Sequence, residues 1–152
     1  MIKIFAQLAY TLLALTFSAT AIAAERGTAD EAVAMVRKAI AYIKANGKEK
    51  AFAEFNSPGS RFKDRDLYVF VGDMKGNVLA HAGNPKLVGK DLMELRDAEG
   101  KYFVKAYYDL AIAKGKGWTD YKWLNPATSA IEQKSTYVEK LDDLVIGCGI
   151  YK

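Results

Sequence analysis

The sequence predicts an α+β fold in which a long N-terminal helix packs on one face of a central antiparallel sheet. Connecting helices are expected on the other face. The predicted elements follow the order α-α-β-β-α-β-β-β, and the aromatic stretch at residues 117–137 has the pattern of an antiparallel hairpin. The length of 152 residues suits one domain with a single core. The hydrophobic share of 51% is typical of a globular protein and argues against disorder.

The start of the chain has the pattern of a signal peptide. Lys3 gives a short basic start, residues 4–17 are largely apolar, and Ala21 and Ala23 are the small residues expected before a signal-peptidase site. We therefore predict cleavage after Ala23, with residues 24–152 forming one exported, periplasmic domain. The alternative is an uncleaved anchor, since about 20 uncharged residues can span a bilayer. Cleavage is favoured over an anchor because the segment contains polar residues and ends in small residues.

Two helices are predicted next. Thr28 and Glu31 have the spacing of a capping box, and apolar residues then recur every three or four positions over residues 33–43. The Asn-Gly pair at residues 46–47 supplies the left-handed residue that ends this helix. A second, short helix is predicted over residues 48–55. Neither helix carries residues that suggest chemistry.

The middle of the chain predicts a β-hairpin followed by helical segments. Residues 67–71 are a dense β run, residues 73–77 have turn composition, and residues 78–81 return as the second strand. Beyond a connector, residues 90–95 are predicted as a helical turn and residues 100–114 as a long helix.

The C-terminal part predicts an aromatic hairpin and a closing strand. Residues 117–124 alternate aromatic and β-branched residues with polar ones, as a half-buried strand requires. Pro126 stops this strand because proline cannot donate to a strand ladder. Residues 131–140 return as the second strand, and residues 145–151 are predicted as the last strand of the sheet.

Side-chain alternation gives this hairpin one face for a core and one for a pocket. Trp118 falls on one face of its strand, opposite to Tyr121 and Trp123. Lys134 and Tyr137 also fall on opposite faces, so both can line one pocket only if a bulge or twist intervenes.

A partly desolvated ammonium beside hydroxyl groups favours a carboxylate ligand. We predict eight ligand-binding residues: Tyr68, His81, Tyr107, Trp118, Tyr121, Trp123, Lys134 and Tyr137. The competing interpretation is that the aromatic residues are core residues and that Lys134 is solvated.

Other classes of function lack support in the sequence. Cys148 is the single cysteine, which excludes an intramolecular disulfide and a cysteine-based zinc cluster, and we predict it to be a small buried residue. The net charge of +4 comes from scattered lysines rather than a basic stripe that would bind nucleic acid. His81, the single histidine, has no evident nucleophile or metal partner by spacing, and catalytic motifs are absent. We predict no enzymatic activity, no cofactor and no metal.

Several segments together resemble the single Cache domain (Cache type 2) family. They are residues 67–73 (LYVFVGD), 76–81 (GNVLAH) and 84–90 (NPKLVGK), followed in order by GWTDYKW, NP, KSTY and GCGIY. Individually these motifs are weak, but in this order they are specific, and the match runs from about residue 28 to the end. Leu124 departs from the family, which commonly has proline at this position.

The resemblance implies a PAS-like fold and a sensing role. Cache domains are extracytoplasmic sensor modules of bacterial chemoreceptors and histidine kinases that bind small molecules, often short organic acids or amino acids. The resemblance places the ligand between the sheet and residues 80–95 and 100–114. Because no membrane helix or signalling domain follows Lys152, we expect a free-standing exported form. It would signal through a partner such as a membrane receptor or histidine kinase.

Three functional classes remain open at this point. The favoured class is a ligand-binding sensor module for signal transduction. The alternatives are an accessory or structural exported protein without a ligand and, less favoured, an exported enzyme. An enclosed position for Lys134 would favour the first class over the second. A second polar side chain within hydrogen-bond reach of His81 would support the enzyme.

Overall fold

The computed structural model describes residues 25–152 and confirms the α+β class. The predicted signal peptide, residues 1–23, lies outside the described residues, so its cleavage stays a prediction. The described elements are α1 (Ala29–Asn46), α2 (Lys48–Asn56), β1 (Lys63–Asp64), β2 (Leu67–Asp73), β3 (Val78–His81), a 3-10 turn (Pro85–Leu87), α3 (Phe103–Lys114), β4 (Lys116–Asn125), β5 (Ala130–Leu141) and β6 (Leu144–Tyr151).

The strands form an antiparallel sheet in the order β1-β2-β6-β5-β4, with β3 paired to β2. β4 and β5 pair continuously from Lys116 opposite Glu139 to Asn125 opposite Ala130. No register shift interrupts this ladder, so side chains alternate strictly between the two faces along both strands.

The two faces of the sheet carry separate hydrophobic cores. α1 and α2 cover one face, which we call the α1 face, where Val36 and Phe55 pack with Ile146 and other buried side chains. α3 covers the opposite face, which we call the α3 face, where Val104 and Val138 belong to an aromatic-rich cluster. The long N-terminal helix therefore packs on one face of the sheet, as predicted. The aromatic side chains of the hairpin are divided between the two cores.

The start of α1 has the predicted capping box. Thr28 Oγ1 accepts from the Glu31 N–H at 3.3 Å, and the Glu31 carboxylate accepts from the Thr28 N–H at 2.7 Å. These two bonds satisfy backbone donors that a helix start leaves unpaired. The helix ends before Gly47, whose φ of 81° lies in the region that favours glycine.

Two glycines of β6 make room on the α3 face. A Cβ on Gly147 would overlap the ring of Phe70, and a Cβ on Gly149 would overlap the side chain of Lys134. Cys148 lies between them and faces the α1 core, where it is fully buried as predicted. Burial raises the pKa of its thiol to about 12, which makes it inert at neutral pH.

The connector before α3 differs from the prediction. Of the helical turn expected at residues 90–95, the structure keeps a single turn, which the Leu95 N–H closes by donating to the Leu92 carbonyl at 3.0 Å. The rest of the segment bonds back to β3 and the turn before it. The Val78 N–H donates to the Lys90 carbonyl at 2.9 Å, and the Leu92 N–H donates to the Gly76 carbonyl at 3.2 Å. β1 and the 3-10 turn were not predicted, since elements of two or three residues have no periodicity to detect.

α3 begins three residues later than predicted. Asp97 accepts from the N–H groups of Glu99 and Lys101, both at 2.9 Å, and so closes a turn ahead of the helix. Its other oxygen accepts from the Lys122 N–H at 3.0 Å, which ties the turn to β4. No helix in residues 25–152 combines the length and apolar character needed to cross a membrane.

Candidate ligand-binding site

A narrow cavity of about 30 Å³ lies between the sheet and α3. We call it the inner cavity. It is lined by Tyr68, Phe70, Val78, His81, Leu87, Leu92, Phe103, Tyr107, Tyr121, Trp123 and Lys134. A second cavity of about 160 Å³, the outer cavity, adjoins it and shares four of these residues. The outer cavity is lined by Tyr68, His81, Gly83, Asn84, Leu87, Trp123, Leu124 and Pro126.

Lys134 lines the inner cavity and, within residues 25–152, is the one lysine, arginine, aspartate or glutamate at the wall of either cavity. It lies on β5 between Tyr121 of β4 and Tyr151 of β6, and only 1% of its surface is exposed. Its Nζ donates to the hydroxyl of Tyr68 and lies 3.3 Å from the hydroxyl of Tyr151. The same atom lies 4.0 Å from the centre of the Tyr68 ring and 4.7 Å from that of Tyr151.

The Lys134 amine has no carboxylate partner among the residues that the structure describes. None of the ion pairs within residues 25–152 includes it. Burial lowers the pKa of Lys134 from 10.5 to about 7, because the charged form loses its hydration without gaining a counter-ion. An anion that enters the cavity would provide the missing counter-ion.

A directed chain of hydroxyl groups leaves one side of this amine free. Tyr151 donates to the Leu124 carbonyl at 2.8 Å, so its hydroxyl oxygen can accept from Tyr68, 3.1 Å away, and from Lys134. Tyr68 in turn accepts from Lys134. An ammonium has three donors, and the two hydroxyls use at most two of them. At least one N–H therefore remains available for a ligand.

His81 has a structural hydrogen bond and a neutral ring. Its Nδ1 accepts from the Asn84 N–H at 2.8 Å, and the ring packs against Tyr68 and Phe70 with centroid distances of 5.1 and 6.1 Å. Burial, and secondarily the charge of Lys134, lower the pKa of His81 to about 3. Its partner is a backbone group, so the described contacts of His81 do not form a catalytic pair.

The structure brings together six of the eight predicted residues. Those that line the inner cavity are Tyr68, His81, Tyr107, Tyr121, Trp123 and Lys134. Trp118 and Tyr137 are cross-strand partners whose rings lie 5.5 Å apart, and Tyr137 belongs to the α1 core. The Tyr137 hydroxyl donates to Glu139 at 2.8 Å, and Trp118 is 39% exposed. These two lie outside the cavity because β4 and β5 contain no bulge.

Three residues near Lys134 were missing from the prediction. Phe70 follows Tyr68 at the i+2 position, so alternation along β2 would have placed both on one face. Phe103 stacks on Tyr121 with ring centres 4.2 Å apart and forms part of the cavity wall. Tyr151 is the register partner of Lys134, and no pattern in the sequence reveals that pairing.

A larger cavity, of about 320 Å³, lies elsewhere and is a weaker candidate. It is lined by Glu25, Arg26, Arg65, Asp66, Asn125, Ala127 and Thr128. Its arginines are already paired: Arg26 with Glu132 at 2.8 Å, and Arg65 with Glu31 at 2.7 Å. Because Lys134 has no such partner, we take the inner cavity as the candidate site despite its smaller volume.

Comparison with known families agrees with this architecture. Residues 6–152 match the family described as Single Cache domain 2. The chain belongs to this family. It is thus a Cache sensor domain, a fold that the sequence resemblance had predicted.

The relatives of this Cache domain are sensing proteins. The chain is 31% identical over 90 residues to the methyl-accepting chemotaxis protein McpP of Pseudomonas putida, covering 58% of the chain and 16% of McpP. It is 34% identical over 89 residues to the sensor histidine kinase MctS of Rhizobium johnstonii, covering 57% of the chain and 19% of MctS. The chain thus spans less than a fifth of the length of either relative.

A solved chemoreceptor structure shows the same fold. The crystal structure of a methyl-accepting chemotaxis protein from Vibrio parahaemolyticus is 31% identical to the chain and superposes with a TM-score of 0.69. The superposition covers 80% of this chain and 86% of that one. The α+β arrangement is therefore that of a chemoreceptor Cache domain.

Proposed function

We propose that this Cache domain is an exported sensor module that binds a short organic acid at Lys134 and passes the signal through a partner protein. The observation that carries the proposal is a buried amine without a counter-ion at the wall of an aromatic cavity. Burying such an amine lowers the stability of the folded protein, and proteins retain destabilising groups where function needs them. The proposed partner is a membrane receptor or a histidine kinase.

Charge complementarity favours a carboxylate ligand. A carboxylate beside Lys134 would form a charge-assisted hydrogen bond in a site from which water is largely excluded. The aromatic walls, including Phe103 and Trp123, would lower the local dielectric constant and strengthen that bond. The hydroxyls of Tyr68 and Tyr151 hold the amine in place on its other side.

The size and lining of the two cavities favour a small monocarboxylate over an amino acid. The inner cavity of about 30 Å³ has room for roughly two water molecules, so a longer chain has to extend towards the outer cavity. In the described part of the chain no carboxylate lines either cavity, which leaves the ammonium of an amino acid without a partner. Among the described residues, Lys134 is also the one basic side chain at these cavities, which disfavours dicarboxylates.

A thermal-shift screen tests this proposal. We expect millimolar acetate, propionate or a related two- or three-carbon monocarboxylate to raise the melting temperature of the purified protein, since a ligand of the folded state stabilises it. Glycine and succinate should produce smaller shifts. Lys134→Met should abolish the shift, whereas the matched variant Lys116→Met, at an exposed lysine of β4, should keep it.

A screen in which no acid changes the melting temperature would favour the accessory-protein alternative. A shift that survives in Lys134→Met would show that the ligand binds elsewhere, with the larger cavity near Arg26 as the next candidate.

Export is a separate part of the proposal and rests on the signal-peptide pattern of residues 1–23. We expect the protein to be recovered from the periplasmic fraction with Ala24 as its first residue. Intact-mass spectrometry of the fractionated protein measures this directly. Recovery of the uncleaved chain in the membrane fraction would instead support the anchor alternative.

A further inference from the structure

The groups that face the Lys134 amine give it no negative charge at neutral pH. Tyrosines face it from several elements: Tyr68 on β2, Tyr121 on β4 and Tyr151 on β6. Burial raises the pKa of each of these phenols, so all three are neutral. His81 on β3 is neutral as well. The empty cavity therefore consists of one amine among uncharged groups.

The remaining titratable groups around the site offset the effect of burial on Lys134 only in part. Tyr107 reaches the cavity from α3, and burial raises its pKa as well. The Cys148 thiol on the α1 face is neutral. The Asp66 carboxylate acts to raise the pKa of Lys134, but this effect is smaller than that of burial, and the ion pairs within residues 25–152 do not include one between Asp66 and Lys134. The Asp66 Oδ1 instead accepts from the Gly27 N–H at 2.7 Å.

We propose that binding of a carboxylate and protonation of Lys134 are coupled, so that above neutral pH each acid anion enters the site together with one proton. This inference rests on the proposed function, because it concerns the same cavity and the same class of ligand. The neutral amine of the empty site takes up one proton from solution and becomes an ammonium that pairs with the bound anion. No bond to carbon forms or breaks.

The physical reason is electrostatic. The bound anion favours the charged form of the amine, and the charged amine in turn favours binding of the anion. In the empty cavity, a charged amine has lost its hydration and has no counter-ion, which favours the neutral form. A carboxylate in contact with the amine reverses this preference by direct Coulombic attraction. By linkage, the proton must then strengthen anion binding by the same factor as the anion strengthens proton binding.

The consequence for sensing is that the response to an acid depends on the surrounding pH. At pH 6 the amine already carries its proton, and the affinity for the anion is nearly constant. Above about pH 7 the affinity should fall about tenfold for each pH unit, because one proton must be added for each anion bound. The module would thus respond to short acids most strongly in neutral or acidic surroundings.

Isothermal titration calorimetry of the purified protein with propionate tests the coupling. Titrations at pH 6, 7, 8 and 9 in two buffers of different ionisation enthalpy give both Kd and the number of protons taken up. We expect roughly 0.1 proton per propionate at pH 6 and roughly 0.9 at pH 8, with Kd about tenfold higher at pH 9 than at pH 8. A Kd that is constant from pH 7 to pH 9, without proton uptake, overturns the inference and leaves the proposed function intact. Absence of binding by propionate and the other short monocarboxylates at every pH overturns both.

Two further measurements assign the proton to Lys134. With lysines labelled at ¹³Cε, the Lys134 resonance should titrate near pH 7 in the free protein and at higher pH when propionate is bound. In His81→Gln, which removes the other titratable nitrogen at the cavity, the dependence of Kd on pH should persist even if the affinity changes. Loss of the pH dependence in His81→Gln, or a Lys134 resonance that titrates near its ordinary pH in the free protein, overturns the assignment.

Discussion

Lys134→Met is expected to raise the free energy of unfolding at pH 7 by about 2–4 kcal/mol while it abolishes carboxylate binding. Keeping a lysine neutral at pH 7 costs roughly 4–5 kcal/mol relative to the solvated ammonium of the unfolded chain, and methionine of similar length avoids this cost. The lost hydrogen bond to Tyr68 offsets part of the gain. The hydrogen bonds of Tyr68 with Tyr151 and of Tyr151 with Leu124 remain possible in the variant.

Urea denaturation of the wild type and the variant measures this difference, provided that the slope with denaturant is unchanged. Lys116→Met is the matched control, and at an exposed position its effect should stay within about 0.5 kcal/mol. A Lys134→Met protein less stable than the wild type would show that the amine is a structural group. The assignment of the site would then lose its main physical argument.

We expect the free energy of unfolding of the ligand-free protein to increase as the pH rises from about 7 to about 10. The pKa of Lys134 is about 7 in the folded state and near 10.5 in the unfolded chain. Between these values the unfolded chain binds a proton that the folded protein does not, so stability rises with pH. The slope contributed by this one group is at most about 1.4 kcal/mol per pH unit.

This increase in the free energy of unfolding should be absent below about pH 7 and above about pH 10. Below pH 7 both states carry the proton, and Lys134 contributes no slope. Above pH 10 the tyrosines of the unfolded chain ionise, whereas buried Tyr68 and Tyr107 stay protonated because burial raises their pKa, so stability falls again.

Urea midpoints from pH 6 to pH 9.5 for the wild type and for Lys134→Met isolate the contribution of this lysine by difference. The variant should show the smaller slope above pH 7. Saturating propionate should also reduce the wild-type slope, because the bound anion keeps the amine charged. Equal slopes in the wild type and the variant would contradict a neutral Lys134 in the folded protein.

Local patterns in the sequence were sufficient to predict most of the secondary structure. The capping box at Thr28, the glycine after residue 46 and the proline in the β4–β5 turn act within a few residues of themselves, so their effects can be inferred without tertiary contacts. The order of elements then limits the topology to a sheet with helices on its faces. At residues 90–95 the predicted helical turn is reduced to one hydrogen bond between Leu95 and Leu92, because the remaining backbone groups bond to residues 76 and 78 instead.

The candidate site could be predicted only in part. Alternation along β4 correctly separated Trp118 from Tyr121 and Trp123, and it showed that Lys134 and Tyr137 would share a pocket only through a bulge. The structure contains no such bulge. Tyr151 could not be predicted as a partner of Lys134, because the pairing depends on the register of β6 against β5.

The sequence by itself therefore determined the α+β class, the membership of the Cache family and which aromatic residues share a strand face. Tertiary structure alone decided that Lys134 is buried, that its neighbours are neutral hydroxyls and rings, and that no carboxylate of residues 25–152 pairs with it. Burial and pairing depend on which strands become neighbours across dozens of residues. The charge state of the amine follows from that arrangement, because the energy of a charge is set by everything that surrounds it.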